Sequence, residues 1–155
     1  HERYMARALE LAARGAGWTN PNPQVGAVIV KDGCIIGEGW HTAYGKLHAE
    51  REALAHCTED PRGATIYVTL EPCPMCAGAC VMSRLKRVVY AVSDPKMGFL
   101  GGAMKFHDLP TLNHSLIVNS GVLEEDCARL LKTFFSLKRA ISKSAKASSS
   151  QSGAE

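Results

Sequence analysis

The feature that most constrains the fold of this chain is a pair of short motifs, an H-x-E that begins at His48 and a P-C-x-x-C that contains Cys73 and Cys76. Catalytic zinc typically has three protein ligands and leaves the fourth position to water, whose pKa then falls from about 15.7 toward about 7. One imidazole and two thiols supply the three ligands, and Glu50 remains to move protons. The fold must therefore bring two distant segments together around one zinc ion.

The spacing within each motif also predicts local structure. In the middle of a helix, residues two apart point in different directions, so His48 and Glu50 converge on one metal only if they begin a helix. Cys73 and Cys76 are three apart, and the prolines on both sides of Cys73 suit the exit of a strand and the first turn of a second helix. Two helix N-termini would then point at the zinc, where their partial positive charge favours thiolates.

Helical and strand-like patterns alternate along the rest of the chain. The predicted helices are 2–14, 48–57, 76–82 and about 123–141, and the predicted strands are 25–30, 34–40, 65–70, 87–92 and 115–118. The first two strands are joined by a Gly-containing turn and form a hairpin. This order predicts an α/β fold, a three-layer α/β/α sandwich with a mixed five-stranded sheet.

The composition fits one domain. A chain of 155 residues, 46% of them hydrophobic, has room for one core. We expect this zinc domain to cover residues 1–141 and the serine-rich tail, 142–155, to be disordered. No apolar run approaches the roughly 18 residues of a membrane span. The cysteines outside the zinc motif lack pairing cues, so we expect small core residues and a reducing, cytoplasmic setting. They are Cys34, Cys57, Cys80 and Cys127.

The combination of H-x-E with P-C-x-x-C is the signature of the zinc-dependent nucleobase and nucleoside deaminases, and the chain resembles that superfamily. From Cys73 onward it resembles bacterial tRNA-specific adenosine deaminases, in PCPMCAGACVMSRLKRVVYAVSDPKMG and LNHSLIVNSGVLEEDCARLLKTFFSLKR. Before Glu50 it is closer to the pyrimidine deaminase of riboflavin biosynthesis, in NPNPQVG and in the Gly-Trp-His that ends at His41. The resemblance implies the deaminase fold, one Zn²⁺ per chain and catalysis of proton transfer by Glu50.

Two departures from these families bear on the substrate. The riboflavin enzymes have a longer loop between the two cysteines that meets the substrate and its phosphate, whereas here only Pro74 and Met75 intervene. The tRNA deaminases usually have an Asn that hydrogen-bonds the purine at the position of His41, and Asn22 is a substitute donor here. A site built to hydrogen-bond a base tolerates few changes. With His41 in place of Asn, the sequence leaves open whether the site selects adenine or cytosine.

The C-terminal helix is basic, and its cations suggest a nucleic-acid partner. An anticodon loop offers several phosphates to neutralise, which a small free pyrimidine does not. Lys138 and Arg139 beside Phe134 therefore predict a surface for a tRNA anticodon stem-loop or another single-stranded nucleic acid. Of the adjacent pair Phe134 and Phe135, we expect one to be buried and the other to be available to a base. The alternative is an ordinary solvated helix face.

Two further expectations come from the resemblance. Asp94 matches an Asp of the tRNA deaminases that approaches the ribose of the target nucleotide, which predicts a preference for RNA over DNA. Its alternative role is that of a turn residue before a proline. The resemblance also implies a homodimer, and apolar positions around Met82, Leu85 and Leu100 are expected to exceed what one short chain buries.

Three functions remain open, and the first is our prediction. It is zinc-dependent hydrolytic deamination of adenosine to inosine in RNA, at the wobble position of a tRNA anticodon loop. The second is deamination of a small pyrimidine or purine derivative, or, in an engineered chain, of single-stranded DNA. The third is an RNA-binding or scaffold domain with a silent zinc site. Glu50 argues against the third, because a domain without chemistry has no use for an acid beside a metal.

Overall fold

The computed structural model describes residues 1–16, 19 and 22–152. Its helices are α1 (Glu2–Ala13), α2 (Ala49–Ala55), α3 (Pro74–Met82) and α4 (Glu124–Ser152), with a 3-10 turn at Phe106–Asp108. Its strands are β1 (Gly26–Lys31), β2 (Cys34–Trp40), β3 (Thr65–Leu70), β4 (Arg87–Val92) and β5 (Ile117–Ser120). The bounds of β2, β3 and β4 are those predicted, whereas β5 begins later than predicted.

The five strands form one mixed sheet in the order β2-β1-β3-β4-β5. Strand β1 is antiparallel to both β2 and β3, and β3, β4 and β5 are parallel. Parallel neighbours end at the same edge of a sheet, so the segments that follow β3 and β4 emerge side by side. The zinc motif follows β3, and Asp94 follows β4.

The predicted hairpin between β1 and β2 is confirmed. Lys31 pairs with Cys34, which leaves Asp32 and Gly33 as a two-residue loop. Their φ angles are 51° and 76°, as a type I′ turn requires at both central positions. Asp-Gly is a sequence that tolerates this left-handed backbone, so the turn fixes the register of the two strands.

Alternating residues of the strands build a core on each face of the sheet. Ile66 and Val88 face α2 and α3, whereas Tyr67 and Val89 face α1 and the start of α4. At Gly39 an added Cβ would lie 2.4 Å from a backbone nitrogen of α2, so the missing side chain lets that helix approach the sheet closely. The predicted three-layer α/β/α sandwich is thereby confirmed.

Helix α4 is longer than predicted. We expected it to end near Ile141, but it continues to Ser152, so the tail predicted to be disordered is helical as far as it is described. Residues 142–152 contain no Pro or Gly that would end a helix. Beyond the sheet, Leu137 and Ile141 are 61% and 63% exposed. Among the described residues, neither this helix nor any other is long and apolar enough to span a membrane.

Two of the three positions expected to exceed the burial capacity of one chain are buried within it. Leu85 and Leu100 are 0% and 1% exposed, because both join the core under α2 and α3. Met82 is 79% exposed. The expectation was therefore wrong for the two leucines and holds for the methionine alone.

Candidate active site and metal centre

The two motif segments meet where α2 and α3 begin. His48 is the N-cap of α2 and Cys73 is the N-cap of α3, each with an extended backbone. Nδ1 of His48 lies 3.7 Å from Sγ of Cys73 and 3.5 Å from Sγ of Cys76. The predicted start of a helix at each motif is confirmed, and the positive ends of both helix dipoles lie at this point.

These three side chains fit a catalytic zinc ion. Their ligand atoms all lie within 4.8 Å of one another, and among the described residues they are the one group of metal-ligating side chains so arranged. Two sulfurs and an imidazole favour zinc over magnesium or calcium, which bind oxygen ligands. His48 and Cys73 also line a pocket, so a metal held by this group would border the space that a substrate can enter.

The charges of the ligand set are already arranged for a cation. The pKa of Cys73 is lowered to about 4, chiefly because Cys76 donates a hydrogen bond to its sulfur and also because His48 lies beside it, against the effect of burial. The pKa of His48 is raised, chiefly by its hydrogen bond with Cys73. The pKa of Cys76 is raised, because its thiol donates a hydrogen bond to the sulfur of Cys73 and because it is buried. Metal binding releases such a shared proton.

Glu50 lies in the first turn of α2, two residues after the histidine ligand, and is 4% exposed. Burial raises the pKa of its carboxyl to about 7; a backbone hydrogen bond, His48 and Cys76 lower the pKa by smaller amounts, and Cys73 adds to the rise. A carboxyl with a pKa near neutrality both accepts and returns a proton readily. Glu50 lines the pocket without belonging to the metal-ligand group.

The pocket beside the ligands has a volume of about 270 Å³. It brings together three of the predicted substrate-binding residues, Asn22, His41 and Asp94. The described residues that line it include no Lys or Arg. The remaining lining residues are Pro23, Val25, His48, Ala49, Glu50, Leu70, Glu71, Cys73 and Met97.

His41 is 3% exposed, and its hydrogen bonds define its tautomer. Nδ1 lies 3.1 Å from the carbonyl oxygen of Leu47, which can only accept, so Nδ1 carries the hydrogen. Nε2 of the neutral ring is then an acceptor, and it lies 3.4 Å from Nδ2 of Asn22. This arrangement fixes the amide of Asn22 and leaves its Oδ1 acceptor for another donor.

Asp94 is a turn residue that also lines the pocket. Its Oδ1 accepts hydrogen bonds from the backbone N–H groups of Lys96 at 3.0 Å and Met97 at 3.2 Å, as a turn residue before a proline does. The same residue lines the pocket. A ribose contact by Asp94 stays a prediction, and its function in the turn is a structural fact.

The predicted residues of α4 lie elsewhere, because none of the described residues that line the pocket belongs to this helix. Phe134 is half-buried and Phe135 is 43% exposed, with their ring centroids 5.2 Å apart. Lys138 is half-buried, and Arg139 is exposed. These residues form a surface separate from the pocket, and their contact with substrate stays a prediction.

Sequence reasoning missed Glu71, which lines the pocket and is 3% exposed. The available signal was its position, since an acidic residue stands between the apolar strand TIYVTL and the ligand motif. It also missed the apolar walls formed by Val25, Leu70 and Met97. Such residues carry no chemical signature that distinguishes a pocket wall from a core.

The other cysteines follow the prediction in part. Cys80 and Cys127 are buried and Cys57 is half-buried, as expected of small core residues. Cys34 is exposed, so its assignment to the core was wrong. It is the first residue of β2, an edge strand, and directly follows the hairpin turn.

Comparison with known proteins places residues 1–92 in the family described as the cytidine and deoxycytidylate deaminase zinc-binding region. The riboflavin biosynthesis protein RibD of Actinobacillus pleuropneumoniae is 45% identical over 139 residues, which are 85% of this chain and 36% of that protein. The tRNA-specific adenosine deaminase of Haemophilus influenzae is 43% identical over 148 residues, which are 89% of this chain and 84% of that protein.

Solved structures show the same two likenesses. The diaminohydroxyphosphoribosylaminopyrimidine deaminase and uracil reductase of Thermotoga maritima aligns with a TM-score of 0.76 at 45% identity, over 86% of this chain and 40% of that one. A tRNA:A34 deaminase aligns with a TM-score of 0.70 at 33% identity, over 84% of this chain and 100% of that one. The chain thus spans well under half of these riboflavin enzymes and most of the tRNA deaminases.

Proposed function

This chain belongs to the cytidine and deoxycytidylate deaminase family of zinc-dependent hydrolases, and we propose that it converts adenosine to inosine in RNA, at the wobble position of a tRNA anticodon loop. The observation that carries this proposal is the distribution of positive charge. A small phosphorylated substrate would need a Lys or Arg beside its phosphate, and the described residues that line the pocket include neither. A nucleotide within an RNA chain inserts only its base and sugar and leaves its phosphates to surface cations.

Helix α4 offers such cations. Arg139, Lys143 and Lys146 are exposed in the second half of the helix. Phe135 is 43% exposed next to them, which combines an aromatic ring with a cationic surface. Single-stranded nucleic acids bind surfaces of this composition through backbone charge and base stacking. We therefore assign the contact with the anticodon stem-loop to α4, including Phe134, Lys138 and Arg139.

The chemistry follows from the residues at the pocket. When zinc is bound by His48, Cys73 and Cys76, it lowers the pKa of water and so supplies a nucleophile near neutral pH. Glu50 accepts a proton from the attacking water and delivers it to the ring nitrogen, and it then transfers the remaining proton of the added hydroxyl to the exocyclic amine, which leaves as ammonia as the carbonyl forms. The water oxygen stays on the base, so adenosine and water give inosine and ammonia.

The remaining pocket residues orient the base and sugar. His41 holds the amide of Asn22, whose Oδ1 is available to accept a hydrogen bond from the substrate. Asp94 lies on the same pocket and can accept a hydrogen bond from a ribose 2′-hydroxyl. Apolar walls above and below a base exclude water and strengthen these polar contacts.

We also propose that the protein is a homodimer that pairs through α3. Met75 and Met82 are 49% and 79% exposed and lie two turns apart on one face of the helix. Between them an added Cβ at Gly78 would meet no atom within 4 Å, so this face is open. Arg51 of α2 reaches the same face, with Nη1 3.5 Å from Sδ of Met75. Exposed methionines on an open helix face are typical of a contact surface.

A second candidate function is deamination of a small pyrimidine derivative. The pair of Asn22 and His41 favours it, because the N-terminal half that supplies both residues resembles the riboflavin pyrimidine deaminases. A site that hydrogen-bonds one ring rejects analogues with a different donor pattern by large factors. The two functions are therefore separable by direct competition of substrates.

The test is turnover by the zinc-loaded protein of three substrates: an anticodon stem-loop with one adenosine at the wobble position, a cytosine-containing single strand, and a panel of free pyrimidine nucleotides. Deamination raises the product mass by about one unit, because an amino group is replaced by oxygen. Glu50→Gln protein is the control for contaminating deaminases. Turnover of the stem-loop alone is expected, and turnover confined to the free nucleotides would establish the second function instead.

A further inference from the structure

Glu71 is a buried carboxylate for which the reaction above has no use. Its Oε2 accepts hydrogen bonds from Oγ of Ser93 at 3.1 Å and from the backbone N–H of Asp94 at 2.8 Å. Its Oε1 accepts from the backbone N–H groups of Leu100 at 2.9 Å and Gly102 at 2.7 Å. Burial of a carboxylate costs free energy unless its oxygens are hydrogen-bonded, and here each oxygen has two donors.

All four donors belong to one segment, residues 93–104, which follows β4. The segment is folded around the carboxyl group, since an added Cβ would lie 2.2 Å from Cδ of Glu71 at Gly98 and 2.5 Å from its Oε2 at Gly102. Contacts that short do not occur, so both positions require glycine. The segment therefore closes directly on Glu71, and Leu100 within it also packs into the hydrophobic core.

The segment also forms one wall of the pocket, through Asp94 and Met97. The neighbouring segment, which follows β3, carries Cys73 two residues after Glu71. Two backbone hydrogen bonds join the chain after β3 to the chain at and after the end of β4, from Glu71 N–H to the carbonyl of Val92 at 2.8 Å and from Phe99 N–H to the carbonyl of Pro72 at 3.0 Å. The side chain of Glu71 adds four hydrogen bonds between the end of the ligand-bearing strand and the segment that carries Asp94.

We propose that Glu71 is a positioning residue that holds the Asp94 wall at the distance at which the substrate binds. It acts on affinity, because the wall it holds contacts the part of the substrate that does not react. It does not act on the metal, because its four acceptor contacts all lie in residues 93–104. The kinetic part of this inference rests on the proposed deaminase activity, whereas its structural part does not.

Glu71→Gln tests the proposal with little change of shape. One carboxylate oxygen becomes an NH₂ group that faces N–H donors, and a lost charge-assisted hydrogen bond corresponds to about a tenfold change in an equilibrium. We expect KM for the substrate of the wild-type protein to rise about tenfold, with kcat changed less than about threefold, because ground-state contacts are lost and chemistry is not. Zinc content should stay at one per chain. Glu59→Gln is the matched control, since Glu59 is exposed.

Amide hydrogen exchange gives a second measurement that needs no substrate. Exchange should accelerate in residues 93–104 of the Glu71→Gln protein and stay unchanged in β1. If the variant does not fold, Ser93→Ala removes one of the four donors and is measured in the same way. Unchanged KM, loss of zinc, or a fall in kcat alone would overturn the proposal. Failure of the stem-loop as a substrate would count against the proposed function only, because the exchange and zinc measurements would still decide the role of Glu71.

Discussion

Replacement of Glu50 by Gln is expected to make the protein more stable and nearly inactive. The carboxyl is 4% exposed, and burial raises its pKa from 4.5 to about 7. At 1.36 kcal/mol per pKa unit, this rise means that ionised Glu50 destabilises the fold by about 3 kcal/mol. Gln has nearly the same shape and no charge to desolvate, so the variant should recover up to this free energy.

The pH dependence has a defined sign. Because the folded pKa lies above the unfolded one, the contribution of protonated Glu50 to stability is complete below about pH 4.5 and is lost as the pH rises through about 7. The free energy difference between Glu50→Gln and wild type should therefore grow between pH 5 and pH 8 and then level off. Bound zinc attracts the carboxylate and reduces the difference, so about 3 kcal/mol is its upper limit.

Urea unfolding of both proteins at several pH values measures this difference, with the exposed Glu59→Gln as the control for the change of residue type. Turnover of the variant should fall by about 10² to 10⁴, the contribution of a positioned acid or base. A variant that is less stable than wild type at pH 8, or a difference that does not depend on pH, would refute the assignment of the raised pKa to burial. Activity above about a tenth of wild type would refute the role in proton transfer.

Three further predictions concern the metal, the sugar and the oligomer. By metal analysis, Cys73→Ala protein should contain less than one zinc per chain, whereas Cys80→Ala protein should retain one. A full zinc content in Cys73→Ala protein would show that the ligand set is different. Asp94→Asn keeps an oxygen for the turn but loses the charge of the carboxylate. The ratio of the deamination rate on an RNA hairpin to the rate on the matched DNA hairpin should therefore be smaller for the variant than for wild type. If both proteins deaminate the two hairpins at equal rates, Asp94 is a turn residue only. Wild-type protein should sediment as a dimer at micromolar concentration and Met82→Lys as a monomer, and a monomeric wild type would exclude the proposed α3 contact.

The sequence predicts the sheet and the metal centre well for physical reasons that are local. Alternation of apolar and polar residues, and short apolar runs, indicate which strands are buried. The bounds of β2, β3 and β4 follow from these patterns. The ligand motifs predict their own geometry, because the H-x-E spacing converges on one metal only at a helix N-terminus and the C-x-x-C spacing places both sulfurs on one face of a helix. Both predictions depend on neighbours in the chain and on little else.

The predictions that failed depend on contacts distant in sequence. Leu85 and Leu100 look like surplus apolar residues until the chain closes over them, and Glu71 looks like a surface acid until residues 93–104 fold around it. The end of α4 failed for a different reason. Residues 142–152 have no partner element in the described structure that would mark a boundary, and their composition permits a helix without requiring one.

The pocket is built from two distant parts of the chain. The N-terminal half supplies the wall with Asn22 and His41, and the segment after β4 supplies another wall with Asp94. The metal ligands come from the junction between the halves, where β3 and α3 meet the start of α2. The metal ligands and Glu50 thus lie on other segments of the chain than Asn22, His41 and Asp94. Substrate choice should therefore follow the walls and α4, and a change in either should alter KM ratios between substrates while Glu50 and the ligands keep their roles.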